Sequence, residues 1–213
     1  MSKQSTKGNG EGMFNTPAFY RRLRSEVVPL LKTYPSVRIW DAGSRTSEDL
    51  FSIVILLYEE GLEDKFHIYA TQKNERLLQR LSKMDIPLSS MKGYRQQYRR
   101  AGGRRDFDGY FSFHQDRATL DAGLSRQVSC FQHDLSTDES FNEFQMILCH
   151  RTIIGSPRTF NVHAHRVLMN SLSAFGVLGL DRKEWLDRSA FKTRFGSLDG
   201  GAISRKKVAS HGR

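Results

Sequence analysis

Val37–Ser52, VRIWDAGSRTSEDLFS, is the stretch whose residue types and spacing could do chemistry. It reads as a buried strand, a tight turn at Gly43 and a helix start. In a doubly wound α/β protein that junction is where a ligand sits. A nucleotide-type cofactor needs glycine there, because its polar groups approach the backbone closely. Gly43 meets that need, while Arg45 and Ser47 follow where small residues are favoured. A second chemical cluster is basic: Arg95, Arg99, Arg100, Arg104 and Arg105, with Tyr94 and Tyr98 interleaved. Such a mixture suits an acidic partner, and the spacing of Arg95 and Arg99 equally describes one face of a helix.

These residues need elements to position them. Thr16 and Pro17 signal a helix start, and Phe19, Leu23, Val27, Leu30 and Leu31 recur at helical spacing, ending before Pro35. Val37–Asp41 reads as a strand. Ser47 is placed to cap a helix that runs to about Gly61. Phe66–Ala70 is a second strand and Asn74–Lys83 a second amphipathic helix. Alternation of this kind argues for a parallel sheet with helices on both faces. Met91–Arg100 reads as a short helix before a loop at Gly102–Gly103. Tyr110–His114, Val128–His133 and the apolar run Phe144–Cys149 read as strands. Arg158–Phe175 carries a helical pattern, and Val177–Leu180 reads as a strand. Phe191–Phe195 and Ala202–Arg205 are expected to pair as a hairpin. Residues 1–12 are expected to be a disordered tail, 13–206 one domain and 207–213 a basic tail.

The chain has 213 residues and a formal charge of +10, which favours a nucleotide, an acidic protein surface or nucleic acid. Nucleic acid is the weakest of these, since no binding motif accompanies the charge. Cys130 and Cys149 sit in apolar runs and read as reduced thiols, with no metal site. No apolar run approaches a membrane span and no signal peptide is visible, so a cytoplasmic protein is expected.

The scaffold resembles the CheR-type chemotaxis-receptor methyltransferases, which use S-adenosylmethionine to methylate receptor glutamates. TYPSVRIWDAGSRTSEDLFSIVILLYEEGL resembles the family's TYP-x-IRIWxAGCSTGEExYSLAILLxEEGL. IYATQKNE resembles IYATDINE, FQMILCHRTIIGS resembles the LILCRNVLIYF stretch, and FGVLGLDRKEWL resembles GGFLxLGxxE. The resemblance runs from about Met13 to Lys206. It implies a Rossmann-like class I methyltransferase fold, a seven-stranded mostly parallel sheet flanked by helices with the last strand antiparallel. In the family a small N-terminal helical domain helps bind the receptor; because the resemblance begins at about Met13, that domain is expected to be absent.

The resemblance also implies site residues. Gly43 and Thr46 fall in the cofactor turn, and Glu48 matches the acid that holds the cofactor's amino group. Gln72 stands where a carboxylate accepts bonds from the ribose hydroxyls, and Lys73 follows it. Asp134–Leu135 occupies the adenine-side Asn-Leu position. His150 and Arg151 replace the Arg and Asn of CRNVLIYF, and Gly155–Ser156 replaces its Tyr-Phe. Met13-Phe14-Asn15-Thr16 stands at the family's FFRD, so Asn15 replaces the arginine that faces the active site. Scaffold residues match while most chemical residues differ. This pattern points to a binding or regulatory module without methyl transfer, with a vestigial S-adenosylmethionine pocket, no metal and no catalytic residue. Arg45, His150 and Arg151 would then make the cleft cationic, suiting a nucleotide second messenger or an acidic signalling partner. The alternative is a surviving protein-glutamate methyltransferase.

Overall fold

A computed structural model describes residues 12–43, 46–149, 162–180, 192–198 and 202–207. Pro17 opens α1 (Pro17–Arg22), at the position where a missing N–H costs nothing. The expected single helix to Leu31 is interrupted. It widens into a π-helical turn at Leu23–Val27 before α2 (Val28–Leu31). Pro29 accounts for this: in a regular helix its ring would meet the Ser25 carbonyl, and a widened turn relieves that clash.

The chain then alternates. Strand β1 (Val37–Ala42) leads through Gly43 to α3 (Ser47–Glu59). Thr46 is the N-cap of α3, with extended backbone, so the cap lies one residue before the expected Ser47, which is the first helical residue and buried. Gly61, at φ +77°, ends this segment as expected. Strand β2 (Phe66–Gln72) precedes α4 (Glu75–Ser82), whose first turn is capped by the Asn74 side chain accepting the Leu77 N–H at 3.1 Å. Then come β3 (Asp85–Pro87), α5 (Met91–Arg100), β4 (Phe111–His114), β5 (Arg117–Leu120) and α6 (Ala122–Ser125). Next are β6 (Val128–Gln132), β7 (Phe144–Cys149), α7 (Val162–Ser171), β8 (Leu172–Leu180), β9 (Phe195–Ser197) and β10 (Ile203–Lys206).

Seven strands form one sheet in the order β6-β2-β1-β7-β8-β10-β9. The first five run parallel, and β10 is antiparallel to both neighbours. Register puts Ile39, Ile68, Met146 and Val177 on one face and Trp40, Ile147 and Leu178 on the other. Both faces are buried, which is why central strands such as FQMILC lack polar alternation. Two expectations shift here. The helical pattern through Phe175 stops at Ser171, and Leu172 begins β8, paired with Phe144. The closing hairpin is present, but its strands are Phe195–Ser197 and Ile203–Lys206, with Phe191 outside the described residues. The Lys206 ammonium donates to the carbonyls of Met169 (2.8 Å) and Leu172, a cation placed where the dipole of α7 favours one.

The small antiparallel sheet β3-β5-β4 was not expected beyond its single strand near 110–114. It explains α3. Helix α3 touches β2 on one side and β3 on the other, so Leu50, Phe51, Ile53, Val54, Ile55, Leu56 and Leu57 are all buried. A helix apolar on every side requires cover on every side.

At the C-terminal end of α3, Glu59 is wholly buried. Arg24 binds Glu59 and Glu60 at 2.5 Å each, the Tyr98 hydroxyl donates to Glu59, and the Arg104 and Arg105 N–H groups donate to it at 3.2 Å. Burial pushes the Glu59 carboxyl up. The bonds from Tyr98, Arg24 and Arg104 outweigh it and hold the carboxyl below its ordinary 4.5. Because the folded value is the lower, this stabilisation is complete above about pH 4.5 and is lost as pH falls through the folded value. Glu59→Gln is expected to lower urea-derived stability at neutral pH by about 3 kcal/mol. The variant should also lose stability less steeply than the native chain below pH 5, and equal acid slopes would contradict this. Gly103 lies under the Tyr98 ring, which a Cβ would overlap. Gly103→Ala is expected to cost about 2 kcal/mol by the same denaturation measurement.

Candidate functional site

The parallel register carries the ends of β6, β2, β1 and β7 to one edge of the sheet, since Thr71 pairs with Ala42, Ala42 with Cys149, and Gln72 with Gln132. Gly43, Gln72 and Asp134 follow from this edge as neighbours. Gly43 has φ +80°, a conformation glycine adopts freely, and its N–H donates to the Thr71 carbonyl at 2.8 Å. Ser44 and Arg45 lie outside the described residues. Thr46 resumes the chain, and its hydroxyl oxygen is buried without a hydrogen-bond partner among the described residues.

The first turn of α3 presents Glu48 and Asp49, acids at the end the helix dipole favours. The Tyr94 hydroxyl donates to Glu48 Oε1 at 3.0 Å. The Glu48 carbonyl accepts from the Ser52 hydroxyl at 2.7 Å, and the Ser52 oxygen accepts the Phe14 N–H at 2.9 Å. The segment carrying Phe14 and Asn15 is therefore tied to the same helix turn.

Gln72 is buried at the end of β2. Its side-chain oxygen accepts the Asn74 N–H at 3.3 Å, and its carbonyl accepts the His133 N–H at 3.4 Å. Beyond β6, Asp134 Oδ1 accepts the Ser136 hydroxyl (2.5 Å) and N–H (2.9 Å). The Lys73 ammonium stands 3.9 Å from Oδ2. The Ser136 hydroxyl, with its N–H and Lys73, keeps the Asp134 carboxyl below the usual range. Leu135 is buried in the same core cluster as Trp40 and Ile147. Gly43, Thr46, Glu48, Gln72, Asp134 and Leu135 thus gather at one end of the sheet. His150 and Arg151 follow β7 in the chain but lie outside the described residues, as do Gly155 and Ser156.

The basic cluster stands elsewhere and does not present five free cations. Arg95 forms a bidentate pair with Asp108 at 2.7 Å, and Arg104 pairs with Glu60 at 2.9 Å. Arg99 donates to the Arg104 carbonyl at 3.1 Å, the Arg105 guanidinium lies 5.2 Å from the Tyr58 ring centre, and the Arg100 carbonyl accepts from Arg21. Much of that charge ties α5 and its following loop to the rest of the fold.

Sequence reasoning missed Tyr94, Trp40 and His133 as parts of the site. Trp40 is fully buried and donates from Nε1 to the Thr71 hydroxyl at 2.8 Å, and His133 packs edge-on at 5.3 Å between ring centres. Only the alternation of β1 could have placed Trp40; the sequence marks Tyr94 only as an aromatic among the basic residues, with no sign of its bond to Glu48. A groove of about 450 Å³ opens at the opposite ends of the strands, lined by Tyr58, Asp64, Phe66, Arg105, Tyr110 and Gln127. Among the described residues no His, Cys, Asp and Glu group could hold a metal, and no helix is long and apolar enough to cross a membrane. Among the described residues Cys130 and Cys149 form no disulfide; Cys149 is buried and Cys130 half-buried.

Residues 9–199 match the family model described as CheR methyltransferase, SAM binding domain. A Pseudomonas putida protein named as methyltransferase Cher3 is 39% identical over 186 residues, covering 87% of this chain and 68% of that one. A structure from Listeria monocytogenes titled as a class I S-adenosylmethionine-dependent methyltransferase aligns with a TM-score of 0.55 and 10% identity, over 99% of this chain and 65% of that one. A Thiobacillus denitrificans methyltransferase in complex with S-adenosyl-L-homocysteine aligns with a TM-score of 0.39 and 15% identity, over 78% of this chain and 48% of that one. The chain spans about half the length of several solved structures it matches. The sheet order, the glycine turn and the matching sequence agree: the chain belongs to the CheR methyltransferase family and corresponds to its S-adenosylmethionine-binding domain.

Proposed function

We propose that this chain binds S-adenosylmethionine or its demethylated product at the strand-end cleft and acts there as a binding and regulatory module, without transferring the methyl group. The observation that carries the reading is the acceptor set: Glu48 and Asp134 carry negative charge and Gln72 offers a carbonyl at the mouth of one glycine turn. A cationic amino acid joined to an adenosine matches such a set. Glu48 suits the ammonium, Gln72 a ribose hydroxyl and Asp134 the adenine amino group. A nucleotide second messenger, whose phosphates need donors, fits these three residues poorly. Its case rests on Arg45, His150 and Arg151.

The ribose position is weakened. A carboxylate accepts a stronger hydrogen bond than an amide oxygen, and the Gln72 oxygen is already shared with the Asn74 N–H. Methyl transfer also needs the acceptor held in line with the methyl group. Asn15 in place of arginine, and the substitutions at His150, Arg151, Gly155 and Ser156, remove the side chains by which the family orients it. A module of this kind would report ligand levels to a receptor or another signalling protein through the surface around the cleft. Retention of Gly43 and Glu48 favours the second reading, an active protein-glutamate methyltransferase with a remodelled site.

Isothermal calorimetry with S-adenosylmethionine, followed by a labelled-methyl assay on a receptor fragment, separates the readings. Binding without label transfer is the expected result. Transfer would establish the enzyme reading, and silence with S-adenosylmethionine beside a response to a cyclic dinucleotide would overturn both. Gln72→Asp restores the charged acceptor and is expected to tighten S-adenosylhomocysteine binding by about fivefold to tenfold. Unchanged affinity would place the ribose elsewhere.

A further inference from the structure

Tyr94 lies on α5, far in sequence from the glycine turn, and its hydroxyl reaches Glu48. The ring is buried, with Gly12 closing over it: a Cβ at Gly12 would stand 3.0 Å from the ring edge. Gly12 itself has φ +126°, so that close approach depends on glycine at this position. The Ser90 side chain also hydrogen-bonds the Tyr94 hydroxyl. Ring rotation is therefore restricted from one side and the hydroxyl is held from the other. Burial, with the Glu48 charge, pushes the Tyr94 phenol up to about 12, so it stays a donor throughout the physiological range. Glu48 Oε1 takes this donor, while Oε2 has no hydrogen bond among the described residues.

We propose that Tyr94 is a positioning residue: it holds the Glu48 carboxylate in the one orientation that leaves Oε2 to accept the ammonium of an S-adenosylmethionine-type ligand. The proposal rests on the binding reading above and adds what determines recognition of the amino-acid half of the ligand. A free glutamate side chain loses rotamer freedom when it meets a cation, which weakens binding. Tyr94 makes that ordering part of folding rather than of binding. The same bond ties α5, which leads into the small sheet, to the cofactor end of α3. Occupancy of the cleft and the placement of α5 are thereby coupled through one hydroxyl.

Two ligands distinguish positioning from general support. S-Adenosylhomocysteine carries the ammonium, whereas 5′-deoxy-5′-methylthioadenosine keeps the adenosine and thioether without it. By calorimetry, Tyr94→Phe is expected to weaken S-adenosylhomocysteine about fivefold to tenfold and to leave methylthioadenosine unchanged. Glu48→Gln should give the same selective loss, and the double variant should lose little more than Glu48→Gln alone, because the phenol acts through the carboxylate. Equal weakening of both ligands by Tyr94→Phe, or independent additive losses, would overturn the proposal. If the native chain binds neither ligand, the binding reading fails and this proposal with it. Native binding of both with an indifferent Tyr94→Phe leaves that reading standing and removes Tyr94 from it.

Discussion

The buried carboxylate of Glu59 constrains the rest of the molecule. It sits at the C-terminal end of α3, where the helix dipole disfavours negative charge. Its side chain is wholly shielded from solvent. The fold must therefore bring donors to it: Arg24 from the first helical segment, Tyr98 from α5, and the Arg104 and Arg105 N–H groups from the following loop. Satisfying that one group fixes the π-helical turn Leu23–Val27, α5 and the loop against α3, and Gly103 is required because Tyr98 fills the space beside it. Glu48 lies eleven residues away at the other end of the same helix, roughly 16 Å along its axis at 1.5 Å per residue. One end of α3 carries a buried, fully bonded acid, and the other carries Glu48, bonded to the Tyr94 hydroxyl.

The main sheet was legible because parallel strands buried on both faces are plain apolar runs bounded by turns. Phe144–Cys149 and Met91–Arg100 lie where the pattern puts them. The small sheet was not legible for identifiable reasons. Strand β3 has three residues including Pro87, and the β4–β5 turn uses Gln115 at φ +49° where a hairpin signature would have Asn or Gly. The helical pattern through Leu172 also misled, because an apolar residue at helical spacing fits equally well as the first buried position of a strand. At the site, resemblance supplied the strand-end positions, and the register of β1, β2 and β6 brings them together. The Tyr94–Glu48 bond could not be read in advance, because the two residues stand 46 positions apart in sequence.

Net charge alone does not name the ligand. A chain of +10 suggests an anionic partner. Several of the clustered arginines are spent on Asp108, Glu60 and backbone carbonyls. The described residues near the strand ends include the acceptors Glu48, Gln72 and Asp134. Net charge describes the field at a distance, whereas recognition depends on which groups still have bonding capacity.

Hydrogen–deuterium exchange on the native chain tests most directly the proposal that an adenosyl amino acid binds at the strand ends. With S-adenosylhomocysteine added, protection should increase in peptides spanning the Gly43 turn and the start of α3, the end of β2 at Gln72, and the segment at Asp134. Exchange around the groove near Tyr58 and Gln127 should stay unchanged. Protection confined to that groove, or absent from all three strand ends at saturating ligand, would contradict the account.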